Sequence, residues 1–144
     1  MVSFTEAVKL FFRRYADFEG RSTRAEYWWV LLFTWLVYAV LGGIGLFFSA
    51  DMFGYGEISP ISWVFFGILI VFIFGTFIPN IALIVRRFHD LNQTGWLYLV
   101  FVIVGFFIGA FASLIMMIWF CFPGTKGHNK YGPDPFEDVH DIFG

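Results

Sequence analysis

Three long apolar runs dominate this chain, because its charged positions are distributed very unevenly. Residues 27–50, 58–85 and 91–125 contain no Asp, Glu, Lys or Arg, which leaves uncharged stretches of 24, 28 and 35 residues. A helix needs about 20 apolar residues to cross the hydrocarbon core of a bilayer. Burying three such runs inside one soluble fold of 144 residues is not geometrically plausible. The pattern therefore predicts transmembrane helices over about residues 25–48, 61–85 and 96–122. The first run starts too far into the chain, and is too long, to be a cleaved signal peptide. It also places Phe48 where such a peptide needs a small residue.

The polar stretches between the runs carry start and stop signals. Phe4, Val8, Phe11, Phe12 and Tyr15 recur at helical spacing, with Glu6, Lys9, Arg13 and Arg14 on other faces. This predicts an amphipathic helix over residues 3–16, opened by a Ser3/Glu6 capping box and suited to the headgroup region. Gly20 permits a turn, and Thr23 with Glu26 repeats the capping-box spacing. Tyr27, Trp28 and Trp29 then stand where an aromatic belt is expected. Gly42, Gly43 and Gly45 near the far end of the first span allow close helix contact or an early break.

A loop over residues 49–59 carries Asp51 and Glu57 but no Lys or Arg, and Pro60 suits the first position of the next helix. Pro79 falls inside that second span, so the carbonyl of Gly75 loses its usual partner and a kink is expected. Thr76 and Asn80 lie close by as polar groups within the span, with a structural role and a position facing the bundle. The third run would make a helix of about 40 Å against a core of roughly 30 Å. Tilt, protrusion or a bend near Gly105 and Gly109 would accommodate it, and those two glycines also form a small-xxx-small pair. Residues 123–144 are rich in Pro and Gly and end in Glu137, Asp138 and Asp141, reading as a surface loop and an acidic tail over 136–144.

These elements add up to an all-α integral membrane protein with three transmembrane helices and an N-terminal amphipathic interfacial helix. Composition agrees: 59% of residues are hydrophobic, 24% aromatic and only 14% charged, where soluble domains carry about 25% charged residues. Mean hydropathy is +0.75. Three spans place Lys9, Arg13, Arg14, Arg21, Arg24, Arg86 and Arg87 on one side and Lys126 and Lys130 on the other. Basic residues mark the cytoplasmic side, so the expected orientation is N-terminus inside and C-terminus outside. A re-entrant third run would instead return the C-terminus to the cytoplasm.

The candidate chemistry sits in Arg86-Arg87-Phe88-His89-Asp90, a knot of charge between two apolar runs. With Arg21 and Arg24 it makes a constellation in which arginine suits bidentate contact with phosphate, so an anionic phospholipid headgroup is a candidate ligand. The competing reading is architectural: the arginines fix topology, cap helices and pair with Glu19, Glu26 or Asp90. Asp90 orienting His89, with the arginines locking two loops together, combines both readings. Asn129, Tyr131 and Asp134 join as candidates if the C-terminal segment lies on the same side.

Several function classes drop out. A net charge of −2 argues against nucleic acid. The lone Cys121, with His89, His128, His140 and Asp141, offers no ligand pair at metal-site spacing, so no metal and no cofactor is expected. No nucleophile motif or phosphate-binding loop accompanies His89, and no catalytic residue is assigned. The spans carry no ionisable residue of the kind that marks an ion pathway.

Three stretches together carry a resemblance. They are residues 18–28, Phe-Glu-Gly-Arg-Ser-Thr-Arg-Ala-Glu-Tyr-Trp; residues 86–90 with Gly95-Trp96; and residues 123–135, Pro-Gly-Thr-Lys-Gly-His-Asn-Lys-Tyr-Gly-Pro-Asp-Pro. In this order, around these apolar runs, the chain resembles the small bacterial inner-membrane proteins grouped as "domain of unknown function 805" from about Phe4 to Pro135. The resemblance implies a multi-pass inner-membrane protein and no reaction. Gln93 stands where that family often has a basic residue, and Val104-Gly105 replaces its usual proline-glycine break, which favours a straight third helix here. The expected role is a non-catalytic binding, assembly or envelope-associated component. Its expected partners are the bilayer, anionic phospholipid, and a membrane-protein partner or second copy. A small transporter or channel subunit, or an enzyme acting on phospholipid headgroups, are the alternatives.

Overall fold

A computed structural model describes residues 2–49 and 59–136. The described residues hold five α-helices and no strand: α1 Phe4–Arg13, α2 Arg24–Ser49, α3 Pro60–Asp90, α4 Leu97–Ile108 and α5 Ala110–Phe120. Residues 50–58 of the expected acidic loop over 49–59, and residues 137–144 of the expected tail over 136–144, lie outside the described residues.

Local chemistry sets the helix starts. At α1 the Ser3 amide donates to Glu6 Oε2 at 2.8 Å and the Glu6 amide donates to Ser3 Oγ at 3.4 Å, completing the capping box. Ala7 and Phe11, four residues apart, are the buried face of α1, while Phe4, Phe12 and Tyr15 stay more than a third exposed. At α2 only half of the second capping box forms. Thr23 Oγ1 accepts from the Glu26 amide at 3.1 Å, but the Glu26 carboxylate turns away to Ser22 and Arg86. Pro60 opens α3, as its missing N–H allows. The helix runs on through Pro79, and the Thr76 hydroxyl donates to the Phe72 carbonyl at 2.7 Å.

The chain divides into two compact units, residues 31–78 and residues 1–30 with 79–144. The first consists of segments of α2 and α3 packed antiparallel. Phe33 and Tyr38 both meet the Phe72 ring, and a Cβ on Gly45 would sit 2.7 Å from Phe66 Cε1. Outward-facing side chains there are large and apolar, with Trp35, Trp63, Val71 and Phe74 each 62–74% exposed. Only 17% and 22% of the most apolar windows of α2 and α3 are buried, and both helices are long enough to cross a membrane. A soluble protein's core helix shows the opposite, a mostly buried apolar stripe.

The third apolar run does not form the straight helix expected over 96–122. It breaks at Gly109, whose φ of 59° and ψ of −136° lie in a region that only glycine occupies cheaply. The chain reverses there, α4 packs against α5, and a Cβ on Gly105 would come within 3.8 Å of that of Ala112. Gly105 and Gly109 are thus not equivalent members of a packing pair: one allows close approach and the other makes the turn. At about 18 Å and 16 Å, α4 and α5 are each too short to cross a core of about 30 Å. Gly109→Ala should cost about 1–3 kcal/mol in a detergent unfolding titration, whereas Gly105→Ala, which meets only ordinary van der Waals contact, should cost less.

Candidate functional site

The hairpin brings residues 121–136 back to the end of α3, so the charge knot and the C-terminal motif form one polar cluster within the second unit. Its centre is Asp90. One carboxylate oxygen, Oδ1, accepts from Arg21 Nε at 3.0 Å, and the other, Oδ2, from Arg87 Nη1. All three side chains are at most 5% exposed. The Asp90 backbone carbonyl accepts from both the amide and the hydroxyl of Thr125, at 2.8 and 2.9 Å. Gly124 lies so close that an added Cβ would fall on the Asp90 carboxylate.

Each arginine also donates to the chain's own carbonyls, although Arg86 Nη2 and Arg87 Nε, both buried, make no hydrogen bond. Arg87 Nη2 donates to Phe120 and Phe122, and the exposed Arg24 donates to the intervening Cys121 at 3.2 Å. These are the unpaired acceptors at the C-terminus of α5, where the helix dipole also favours positive charge. Arg86, fully buried, does the same beyond α1: it donates to the carbonyls of Arg14 and Asp17, binds Ser22 Oγ at 2.9 Å, and lies 3.6 Å from Glu26. Arg21 ties the last loop through the carbonyls of Thr125, Gly127 and Gly132. The knot is a set of carbonyl clamps.

Sequence reasoning paired Asp90 with His89, and the structure separates them. His89 Nδ1 faces the Gly20 carbonyl at 3.1 Å, its ring stacks on Tyr131 with centroids 3.8 Å apart, and its backbone carbonyl accepts from Asn129 Nδ2 at 3.0 Å. Asn129 Oδ1 accepts from the Tyr131 amide, and Asp134 accepts from the amides of Gly127 and Phe136. The Phe136 amide, with that of Gly127 behind it, holds the Asp134 carboxyl below the usual carboxylate range. Burial would raise the Asp17 carboxyl, but Arg14 and the Glu19 amide outweigh it and leave it lowered.

Lys126 and Lys130, which a three-span reading sets apart from the other basic residues, lie on the segment that Arg21 and Arg87 bind directly. Thr76 and Asn80 lie several turns before Asp90 on α3, and the Thr76 hydroxyl donates within its own helix. Sequence reading missed Ser22, Gly124 and Thr125, as well as the carbonyls that occupy the arginines. Among the described residues no group of His, Cys, Asp and Glu could hold a metal.

The chain matches the family model described as "Protein of unknown function (DUF805)" over residues 15–133. "Inner membrane protein YhaI" of Escherichia coli K12 is 34% identical over 124 residues, which cover 85% of this chain and 89% of that protein. "Inner membrane protein YhaH" of the same organism is 36% identical over 123 residues, covering 85% and 90%. No solved structure matches the chain. A family match across the knot, both long apolar helices, the hairpin and the C-terminal loop makes this chain a member of the DUF805 family.

Proposed function

We propose that this protein is a non-catalytic, envelope-associated component of the bacterial inner membrane. Two helices, α2 and α3, span the bilayer, α4 and α5 enter it as a re-entrant hairpin, and a fixed cytoplasmic face meets anionic lipid. The observation that carries this reading is that Arg21, Arg86 and Arg87 are buried and each donates to three or more oxygens of the chain itself. A buried guanidinium already donating to three or four protein oxygens is architecture; a phosphate would have to displace those bonds. The relatives' names support the location, and placing all nine basic residues on one face supports the orientation.

Exposed cations are left to meet the headgroups: Lys9 and Arg13 on α1, with Arg24, Lys126 and Lys130 around the cluster. On α1 they alternate with the exposed rings of Phe4 and Phe12, and Tyr15 follows just past its end, the composition of an interfacial helix. Each basic residue near an anionic surface contributes about 1 kcal/mol. Hydrogen exchange in nanodiscs should therefore show slower α1 amides with phosphatidylglycerol present than in pure phosphatidylcholine. A Lys9→Glu/Arg13→Glu double variant should erase that difference and leave the α3 amides unchanged. Equal α1 exchange in the two lipids would contradict the reading.

A further inference from the structure

A groove of about 540 Å³ runs beside the cluster, between the last turns of α3 and the start of α4. Its size is that of a small-molecule site. Ile81, Val85 and His89, spaced four residues apart, form one stripe of its wall along α3. From His89 to Ile81 is about 12 Å along the helix, so the groove leads from the polar face down into the apolar layer. Its polar end holds His89, Tyr131 and Thr94; its deep end is Ile81 and Leu99.

Two features of the lining select an occupant. No Asp, Glu, Lys or Arg lines the groove itself. The nearest cation is Lys130, whose ammonium lies over the Tyr131 ring 4.9 Å from its centroid at the polar mouth, so a charged headgroup drawn into the aromatic part would be desolvated away from any counter-charge. The upper half is aromatic, with Phe18, Trp96, Tyr98 and the stacked His89–Tyr131 pair, surfaces that favour a flat ring. Because His89 Nδ1–H donates to the Gly20 carbonyl, the neutral ring leaves Nε2 as an acceptor, suited to a ligand hydroxyl rather than to a ligand carbonyl. The Tyr131 and Tyr98 hydroxyls can donate to an oxygen in the same space.

We propose that this groove binds a neutral lipid with a flat, oxygen-bearing head ring on a hydrocarbon tail, of the quinone or quinol class. The ring lies among the aromatic side chains and the tail follows the Ile81–Leu99 wall into the bilayer. The proposal shares the membrane placement given above but does not rest on the α1 cations Lys9 and Arg13, which do not line the groove.

The test is a titration of the purified protein in detergent with a decyl-tailed benzoquinone, read by quenching of tryptophan fluorescence. Dioctanoylglycerol and dioctanoyl phosphatidylglycerol serve as competitors. Saturable quenching is expected, weakened at least tenfold by Ile81→Phe, which narrows the deep end, and by Tyr131→Phe, which keeps the stack and removes the hydroxyl. Lys9→Glu/Arg13→Glu should leave it unchanged, and neither competitor should displace the quinone. Thermal melting checks that each groove variant folds, and the folded one decides if the other does not. Non-saturable quenching, quenching that is equal in folded groove variants, or displacement by either ring-less lipid would overturn the proposal.

Discussion

Replacing Asp90 by alanine should destabilise the protein by about 3–5 kcal/mol, because it strands two buried guanidiniums with no countercharge. Arg21 and Arg87 are at most 1% exposed and share that one carboxylate. Coulombic attraction in a dry site does not by itself make such a cluster stabilising, since desolvating three charges costs several kcal/mol per ion. The cluster persists because each arginine also binds backbone carbonyls that would otherwise be unpaired. Asp90→Ala should therefore fail to accumulate in membranes, or unfold at far lower denaturant in a detergent titration. Arg24→Ala removes one bond from an exposed side chain and should cost less than about 1 kcal/mol. Equal effects of the two substitutions would remove the distinction between clamp and rim.

The second large effect belongs to Gly124. A Cβ there would overlap the Asp90 carboxylate, which two arginines hold in place. Neither side can yield: the carboxylate is pinned, and the loop backbone is tied by Thr125 to the Asp90 carbonyl. Gly124→Ala should cost about 1–3 kcal/mol from overpacking alone, and more to the extent that the ion pairs separate. Its signature is local. Residues 123–136 should come loose, so that limited trypsin digestion cuts at Lys126 and Lys130 well before it attacks the helices. The control is Gly67→Ala, mid-helix in α3 with nothing within 4 Å of the added carbon. It should be neutral or stabilising by about 0.5–1 kcal/mol.

How much of this was legible before the structure follows from what each signal encodes. Apolar length against bilayer thickness is a one-dimensional property, so α2 emerges within one residue of both expected ends and α3 within one residue of its expected start, although α3 continues five residues past residue 85 to Asp90. The Ser3/Glu6 box is a local pattern, and it forms as expected. The third run failed for a specific reason. Glycine at position 109 is compatible with a packed helix face and with a reversal, and hydropathy is blind to the difference. The family pattern raised a break as usual; Val104-Gly105 in place of proline-glycine argued against one, and the reversal occurs four residues later instead.

That single turn decided the site. With a straight helix, Asn129, Tyr131 and Asp134 stand across the membrane from His89; with the reversal, Asn129 and Tyr131 meet His89, and Asp134 ties the same loop through the Gly127 amide. The residue types of the knot were visible in the sequence, but their partners were not. Carbonyls carry no sequence signature, so arginines that clamp a backbone look the same as arginines that await a phosphate. Gly124 was the available clue, since a glycine beside a buried carboxylate marks close approach, yet nothing local ties residue 124 to residue 90.

Sidedness tests the central claim most directly. With Cys121 changed to serine, single cysteines at position 9 (Lys9→Cys) and position 126 (Lys126→Cys) report the two ends of the folded cluster. A membrane-impermeant maleimide should label both in inverted inner-membrane vesicles and neither in intact spheroplasts. Labelling of the position-126 cysteine from the spheroplast exterior, with the position-9 cysteine reached only from the interior, would mean that the third run crosses the bilayer, contradicting the hairpin and the site built on it.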